Sequence, residues 1–260
     1  MFVDAHVHID RYPRPPEVLE DASTAHVVCV AVTETPRDFE MLSLRAGKRP
    51  GLCVALGAHP LRASSLTSEE LKRFTTLLAG VDYVGEVGLD GSREGRATLR
   101  VQRRVFEQVL ASPGITERVL TVHSRGAEPE TIEALEQAGA TAVLHWYSGA
   151  LKHAEVALQA GLYFSINAAM LRSQKAAKLF AALPRDRVLT ETDGPYAKIG
   201  GRASVPADVP RIVADLAGVW SCTAEEAREQ IWANMTALHA RAKGRLSGGR
   251  SQDRLFDRVG

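Results

Sequence analysis

Eight short runs rich in apolar and β-branched residues recur along this chain, each separated from the next by a longer segment. They are MFVDAHV (1–7), AHVVCVAV (25–32), GLCVALGA (51–58), VDYVGEVG (81–88), RVLTV (118–122), ATAVLHW (140–146), GLYFSI (161–166) and RVLTET (187–192). Several of the intervening segments carry the signature of a helix. In TSEELKRFTTLLAG, Thr67 and Glu70 form a capping box ahead of Leu71, Phe74, Leu77 and Leu78. In EPETIEALEQAG, Ile132, Leu135 and Ala138 share one face and Gly139 is the stop. Strands alternating with helices imply a parallel sheet, and eight such units in 260 residues predict a closed (β/α)8 TIM barrel of the α/β class. The barrel is expected to occupy 1–242, and the Gly-, Ser- and Arg-rich stretch 243–260 to form a flexible tail.

With 45% apolar and 24% charged residues the chain can bury a sizeable core. Thirty-two basic against 31 acidic residues leave a net charge of +1, which argues against stoichiometric coating of nucleic acid but not against local contact at a cleft. Cys29, Cys53 and Cys222 have no metal-site spacing and read as thiols in a reducing compartment. No run is long enough to span a membrane and no signal peptide precedes the first strand, so a cytoplasmic protein without a membrane partner is expected.

A barrel builds its active site at the C-terminal ends of its strands, which makes the placement of metal-competent residues a test. His6 and His8 end the first run, His59 follows the third, Glu86 and Asp90 lie at the end of the fourth, and His123 ends the fifth. His145 ends the sixth, Asn167 follows the seventh and Asp193 follows the eighth. Five of the eight histidines therefore fall at strand ends. Each residue alone has an ordinary structural explanation: an H-x-H pair is more often unliganded, and Asp193 before Gly-Pro is common turn chemistry. Together they would crowd carboxylates and imidazoles into one barrel mouth, where each uncompensated charge costs several kcal/mol and a bound dication compensates economically. Such ligands suit Zn, Mn, Ni or Mg.

The segments VDAHVHID, GAHP (57–60), GEVGLD (85–90), VHSR (122–125), LHWYSG (144–149) and ETDGPY (191–196), with GGRASVPADV and IWANMTALH later on, resemble in order and spacing the motifs of the TatD family of metal-dependent deoxyribonucleases. The resemblance runs from residue 1 to about 240. It implies an amidohydrolase-type barrel with two divalent metals (Zn, Mg or Mn): His6, His8 and Asp193 on the first, His123 and His145 on the second, and Glu86 between them. Two departures touch the substrate rim. Gly91 and Ser92 stand where family members often carry an aromatic pair, and Trp146-Tyr147 replaces a smaller residue and Phe. ETDGP with its short loop to GRASVP also resembles the TatD-like nuclease of Qat-type phage-defence systems, which implies a role in antiviral defence among protein partners.

The chemistry expected is hydrolysis of DNA, at single-stranded ends because a barrel mouth is too confined for the middle of a duplex, by a monomeric enzyme. Asp193 is the expected proton acceptor, Glu86 sets the spacing of the metals, and His59 and Arg125 contact phosphate. Arg125 pairing with Asp90 is the equal alternative. Trp146 and Tyr147 either stack an unpaired base or pack in the core. Asp4, one pleat below His6, is expected to accept a ring N–H or line the floor, Asp90 to support a ligand, and Asn234 to cap a loop near the mouth. Competing readings are a metal-dependent ester or amide hydrolase, such as an aminoacyl-tRNA deacylase, and a non-enzymatic accessory subunit.

Overall fold

A computed structural model of the protein describes residues 1–244. Its eight central strands are β1 (Phe2–Val7), β2 (Val27–Ala31), β3 (Leu52–Val54), β4 (Tyr83–Gly88), β5 (Val119–His123), β6 (Thr141–Leu144), β7 (Tyr163–Ile166) and β8 (Val188–Thr190). Neighbours pair in parallel from β1 to β3 and from β4 to β8. Two seams close the ring. Leu56 N donates to Tyr83 O at 3.1 Å and Gly85 N to Leu56 O at 2.9 Å, joining β3 to β4. Asp193 N donates to His6 O at 2.9 Å, and the Thr190 hydroxyl to Val3 O at 2.6 Å, joining β8 to β1. The fold is the (β/α)8 barrel that the alternation predicts.

The outer layer comprises α1 (Pro15–Thr24), α2 (Pro36–Ala46), α3 (Ser68–Leu78), α4 (Leu99–Leu110), α5 (Glu128–Gln137), α6 (Leu151–Gln159), α7 (Ala168–Leu171), α8 (Gln174–Ala182), α9 (Val209–Trp220) and α10 (Ala224–Lys243). Thr67 caps α3 with the reciprocal Thr67–Glu70 bonds of a capping box, and the helix buries Phe74 and Leu78. Helix α5 buries Ile132 and Leu135 and ends before Gly139, which takes the left-handed φ of 60°. Such helices turn their apolar stripes inward onto strands that are buried on both faces, one continuous core. Cys29 and Cys53 lie buried within it.

Three strands stop two or more residues short of their apolar runs. The run expected over 51–58 ends its ladder at Val54, with a single bridge at Leu56. Here the Thr33 hydroxyl donates to Ala55 O at 2.8 Å and accepts from Gly57 N at 3.1 Å, taking groups a strand neighbour would otherwise pair. Only glycine fits at 57, because a Cβ there would lie 1.7 Å from Thr33 O. The sixth run ends at Leu144, before Trp146 turns to a φ of 37°. The eighth ends at Thr190, since Thr192 N bonds the Asp4 carboxylate at 2.9 Å.

A two-stranded hairpin, β9 (Lys198–Ile199) with β10 (Arg202–Ala203), follows β8 and turns at Gly200-Gly201, whose φ values of 59° and 85° suit a tight primed turn. Asn234 is not at the mouth. Its amide donates to Arg185 O and Val188 O, both at 2.7 Å, and so pins α10 to the start of β8 at the opposite end of the barrel. The boundary expected at 243 also shifts: Lys243 is the last residue of α10 and its ammonium pairs with Asp82. The remainder of the expected tail, 245–260, lies outside the described residues. No helix among the described residues is long and apolar enough to cross a membrane.

Candidate metal centre

Glu86 is the centre of the site. It is 2% exposed at the end of β4, and ring nitrogens of five histidines approach its two oxygens. His6 Nε2 and His8 Nε2 face Oε2 at 3.4 and 3.3 Å. His59 Nε2, His123 Nδ1 and His145 Nε2 face Oε1 at 3.4, 2.8 and 3.0 Å. Asp193 Oδ1 joins the first group, 3.7 Å from His6 Nε2 and 3.6 Å from His8 Nε2. One carboxylate thus presents an oxygen to each of two sets of nitrogen donors. Burial works against ionisation of Glu86, yet His59, His145 and His6 hold it well below the ordinary carboxylate range.

The donors are oriented from behind. The Thr121 hydroxyl lies 2.6 Å from His6 Nδ1, and with the proton there Nε2 turns its lone pair to the cluster. Burial, with His145 beside it, lowers the His6 imidazole to about 3, so the ring is neutral at ordinary pH. Asp90 Oδ2 takes His123 Nε2 at 2.8 Å, leaving Nδ1 for the centre. Burial opposes its ionisation, but the bonds from His123 and from Ser92 N hold the Asp90 carboxyl at about 2. His59 differs. Its Nδ1 accepts from Leu61 N at 3.1 Å, so the neutral ring carries its proton on Nε2 and offers a hydrogen-bond donor rather than a metal lone pair.

Three sets of possible ligand atoms lie within 4.8 Å of one another: His6, His8 and Asp193; His6, Glu86 and His145; His59, Glu86 and His123. Among the described residues, the buried His8 and His145 Nδ1 atoms have no hydrogen-bond partner. Burial, with Glu191 and Glu86 nearby, pushes the Asp193 carboxyl well above its usual range. Imidazoles and carboxylates packed this closely fit divalent cations, which would engage the ring lone pairs and compensate the carboxylates.

The centre opens into a cavity of about 750 Å3, the size of a small-ligand site. His59, Arg125 and Trp146 line it. Arg125 is exposed and, among the described residues, forms no ion pair; Asp90, its alternative partner, is occupied by His123 and Ser92. Tyr147 does not line the cavity. It is 2% exposed, its ring meets Phe164 edge to face at 5.3 Å and its hydroxyl donates to Ala150 O, so of its two expected roles Tyr147 takes core packing and not base stacking. Of the two places expected for Asp4, it takes the floor of the site. It touches no ring nitrogen; Oδ1 accepts from Thr192 N at 2.9 Å and Oδ2 from the Thr192 hydroxyl at 2.5 Å, which latches β8 to β1 beneath the site. Burial raises that carboxyl to about 7 despite both bonds.

Glu191 escaped the sequence argument. Fully buried, it accepts from the Ser165 hydroxyl at 2.5 Å, Asn167 Nδ2 at 3.0 Å and Trp146 N at 3.1 Å. Its Oε2 lies 3.7 Å from His145 Nδ1, too far for a hydrogen bond but near enough for its charge to act on the ring. The signal was there: Glu191 stands two residues before Asp193, on the same face if the strand's alternation continues. Asn167 also caps α7 through Ala169 N and Met170 N.

The TatD related DNase family profile matches residues 3–240. An uncharacterized metal-dependent hydrolase of Methanocaldococcus jannaschii is 25% identical over 241 residues, 90% of this chain and 94% of its own length. Human deoxyribonuclease TATDN3 is 31% identical over 212 residues, 74% of this chain and 77% of that protein. The crystal structure of a TatD homologue from Escherichia coli K12 superposes with a TM-score of 0.82 at 24% identity, covering 91% of this chain and 97% of the other, a likeness of fold. A profile match over nearly the whole barrel, with the matched histidines and carboxylates gathered at a single mouth, places the chain in the family of TatD-related DNases.

Proposed function

We propose that this member of the TatD-related DNases hydrolyses phosphodiester bonds of DNA at single-stranded ends, using two divalent metals. The observation that carries the reading is the division of Glu86, with Oε2 toward His6 and His8 and Oε1 toward His123 and His145. His6, His8 and Asp193 would hold one metal, His123 and His145 the other, with Glu86 shared. Bound cations would supply an acidified water and a counter-charge for the phosphoryl oxygens. The chain's own groups do the rest. Asp193 accepts the proton of the attacking water. His59, with its proton on Nε2, donates to a phosphoryl oxygen, and Arg125 offers that phosphate its two-pronged guanidinium.

The purified protein should contain bound metal and cleave single-stranded oligonucleotides faster than duplexes when Mg, Mn and Zn are supplied in turn; stripping with chelator should abolish turnover. Absence of both bound and activating metal overturns the reading. Faster hydrolysis of aminoacyl-tRNA than of any oligonucleotide, measured side by side, moves the substrate to carboxylic esters.

Glu191 is assigned the part of fixing the His145 ring. Glu191→Gln keeps the shape but removes the charge facing Nδ1, and should weaken metal affinity about 10- to 100-fold, as loss of such supporting partners does. Competition with a chromophoric chelator measures it.

A further inference from the structure

Tyr196 is the one aromatic side chain among the described residues that is more than half exposed, at 53%. It lines the same cavity as the histidine cluster, and its ring lies 4.9 Å from that of His8 at an interplanar angle of 82°. Trp146, directly after His145, lines the cavity too. An aromatic side chain therefore adjoins the cluster at His8 and another at His145.

The hydroxyl of Tyr196 is already committed. It donates to Glu34 Oε1 at 3.3 Å, and Glu34 is only 6% exposed. Glu34 is gripped in turn by Arg62 Nε at 2.5 Å and by the Arg11 guanidinium at 3.1 Å. A buried, doubly paired carboxylate that anchors the phenol leaves the face of the ring, rather than its hydroxyl, available to a ligand. Exposed apolar surface held rigid at the rim of a polar cavity fits a flat partner. A nucleobase in a duplex has both faces covered by its neighbours; a base in a single strand does not.

We infer that Tyr196 is the platform on which an unpaired base stacks beside the scissile phosphate, with Glu34 as the positioning residue that fixes the ring. The inference rests on the phosphodiesterase reading above and gives it a physical source of single-strand preference.

The test uses end-labelled pentathymidylate and five counterparts, each with one abasic residue, bound to the full-length protein in chelator and followed by fluorescence anisotropy. Cleavage by the metal-loaded protein is measured separately. Tyr196→Ala should weaken binding of the intact strand about 5- to 150-fold, the span of base stacking on an aromatic side chain, while Tyr196→Phe stays within about twofold. One abasic position should weaken wild-type binding to the same extent and leave Tyr196→Ala indifferent. Glu34→Ala should reduce that abasic discrimination, and Glu34→Gln, whose amide oxygen still accepts from the phenol, should restore part of it. Equal binding by wild type and Tyr196→Ala overturns the inference; if the wild type still cleaves the strand, the nuclease reading survives alone. A wild type that neither binds nor cleaves the strand overturns both.

Discussion

Replacing Glu86 by alanine will leave a barrel that folds but neither retains its metal nor hydrolyses phosphodiesters. Both oxygens of this side chain face imidazole nitrogens, and among the described residues no other carboxylate touches both groups of histidines: Asp193 lies with His6 and His8, and Asp90 sits behind His123. On the proposed two-metal arrangement, removal of Glu86 takes the shared ligand from both halves of the site at once. Turnover should fall below detection, and metal measured by elemental analysis should drop by at least one ion per chain. Taking one partner from a buried charged set costs stability, about 3–5 kcal/mol where the remaining charge is left unpaired. Here the remaining partners are imidazoles that can shed their protons, so circular dichroism should still report a folded protein. Glu86→Gln guards the conclusion, because it keeps side-chain volume and hydrogen bonds while removing the charge. Full activity in either folded variant would sink the two-metal scheme.

The barrel was legible because its signal is repeated: eight apolar runs alternating with helical segments admit few closed arrangements. The ends of the strands were less legible. At Gly57 and Thr192 a side chain from elsewhere in the barrel, Thr33 just after β2 or Asp4 in β1, takes the backbone bond, and nothing in the local period of the runs announces a partner so distant in sequence. The gathered histidines were legible for a geometric reason, since in a parallel barrel every strand end points to the same mouth. What surrounds them was harder. Tyr147 stayed open between base stacking and core packing because the left-handed backbone at Trp146 breaks the alternation that would aim it. Asp4 shares its strand face with His6, yet its partner Thr192 arrives only by barrel closure. Asn234 lies in a helix whose position against β8 no local pattern reveals. Tyr196, the last residue of ETDGPY, gains meaning only through Glu34, which holds its hydroxyl.

Asp193→Asn should separate holding the metal from moving the proton. Asp193 stands at a φ of 45°, a conformation that costs most residues about 1–3 kcal/mol but that Asp and Asn tolerate well. Its backbone is fixed on both sides, N–H to His6 O at 2.9 Å, and carbonyl accepting from Tyr196 N at 2.9 Å and Ala197 N at 3.0 Å. Asparagine therefore keeps the turn, the side-chain length and one oxygen directed at His6 and His8, and loses the carboxylate's capacity to accept a proton. With general-base assistance contributing about 10²- to 10⁴-fold, kcat on a single-stranded oligonucleotide should fall by that factor while the thermal midpoint stays close to wild type. Metal titration supplies the decisive comparison. If raising the metal concentration restores full turnover, Asp193 serves only as a ligand and the proton goes elsewhere. If kcat stays low with the site saturated, the missing function is proton acceptance, and the left-handed turn after β8 serves to aim that carboxylate at the attacking water.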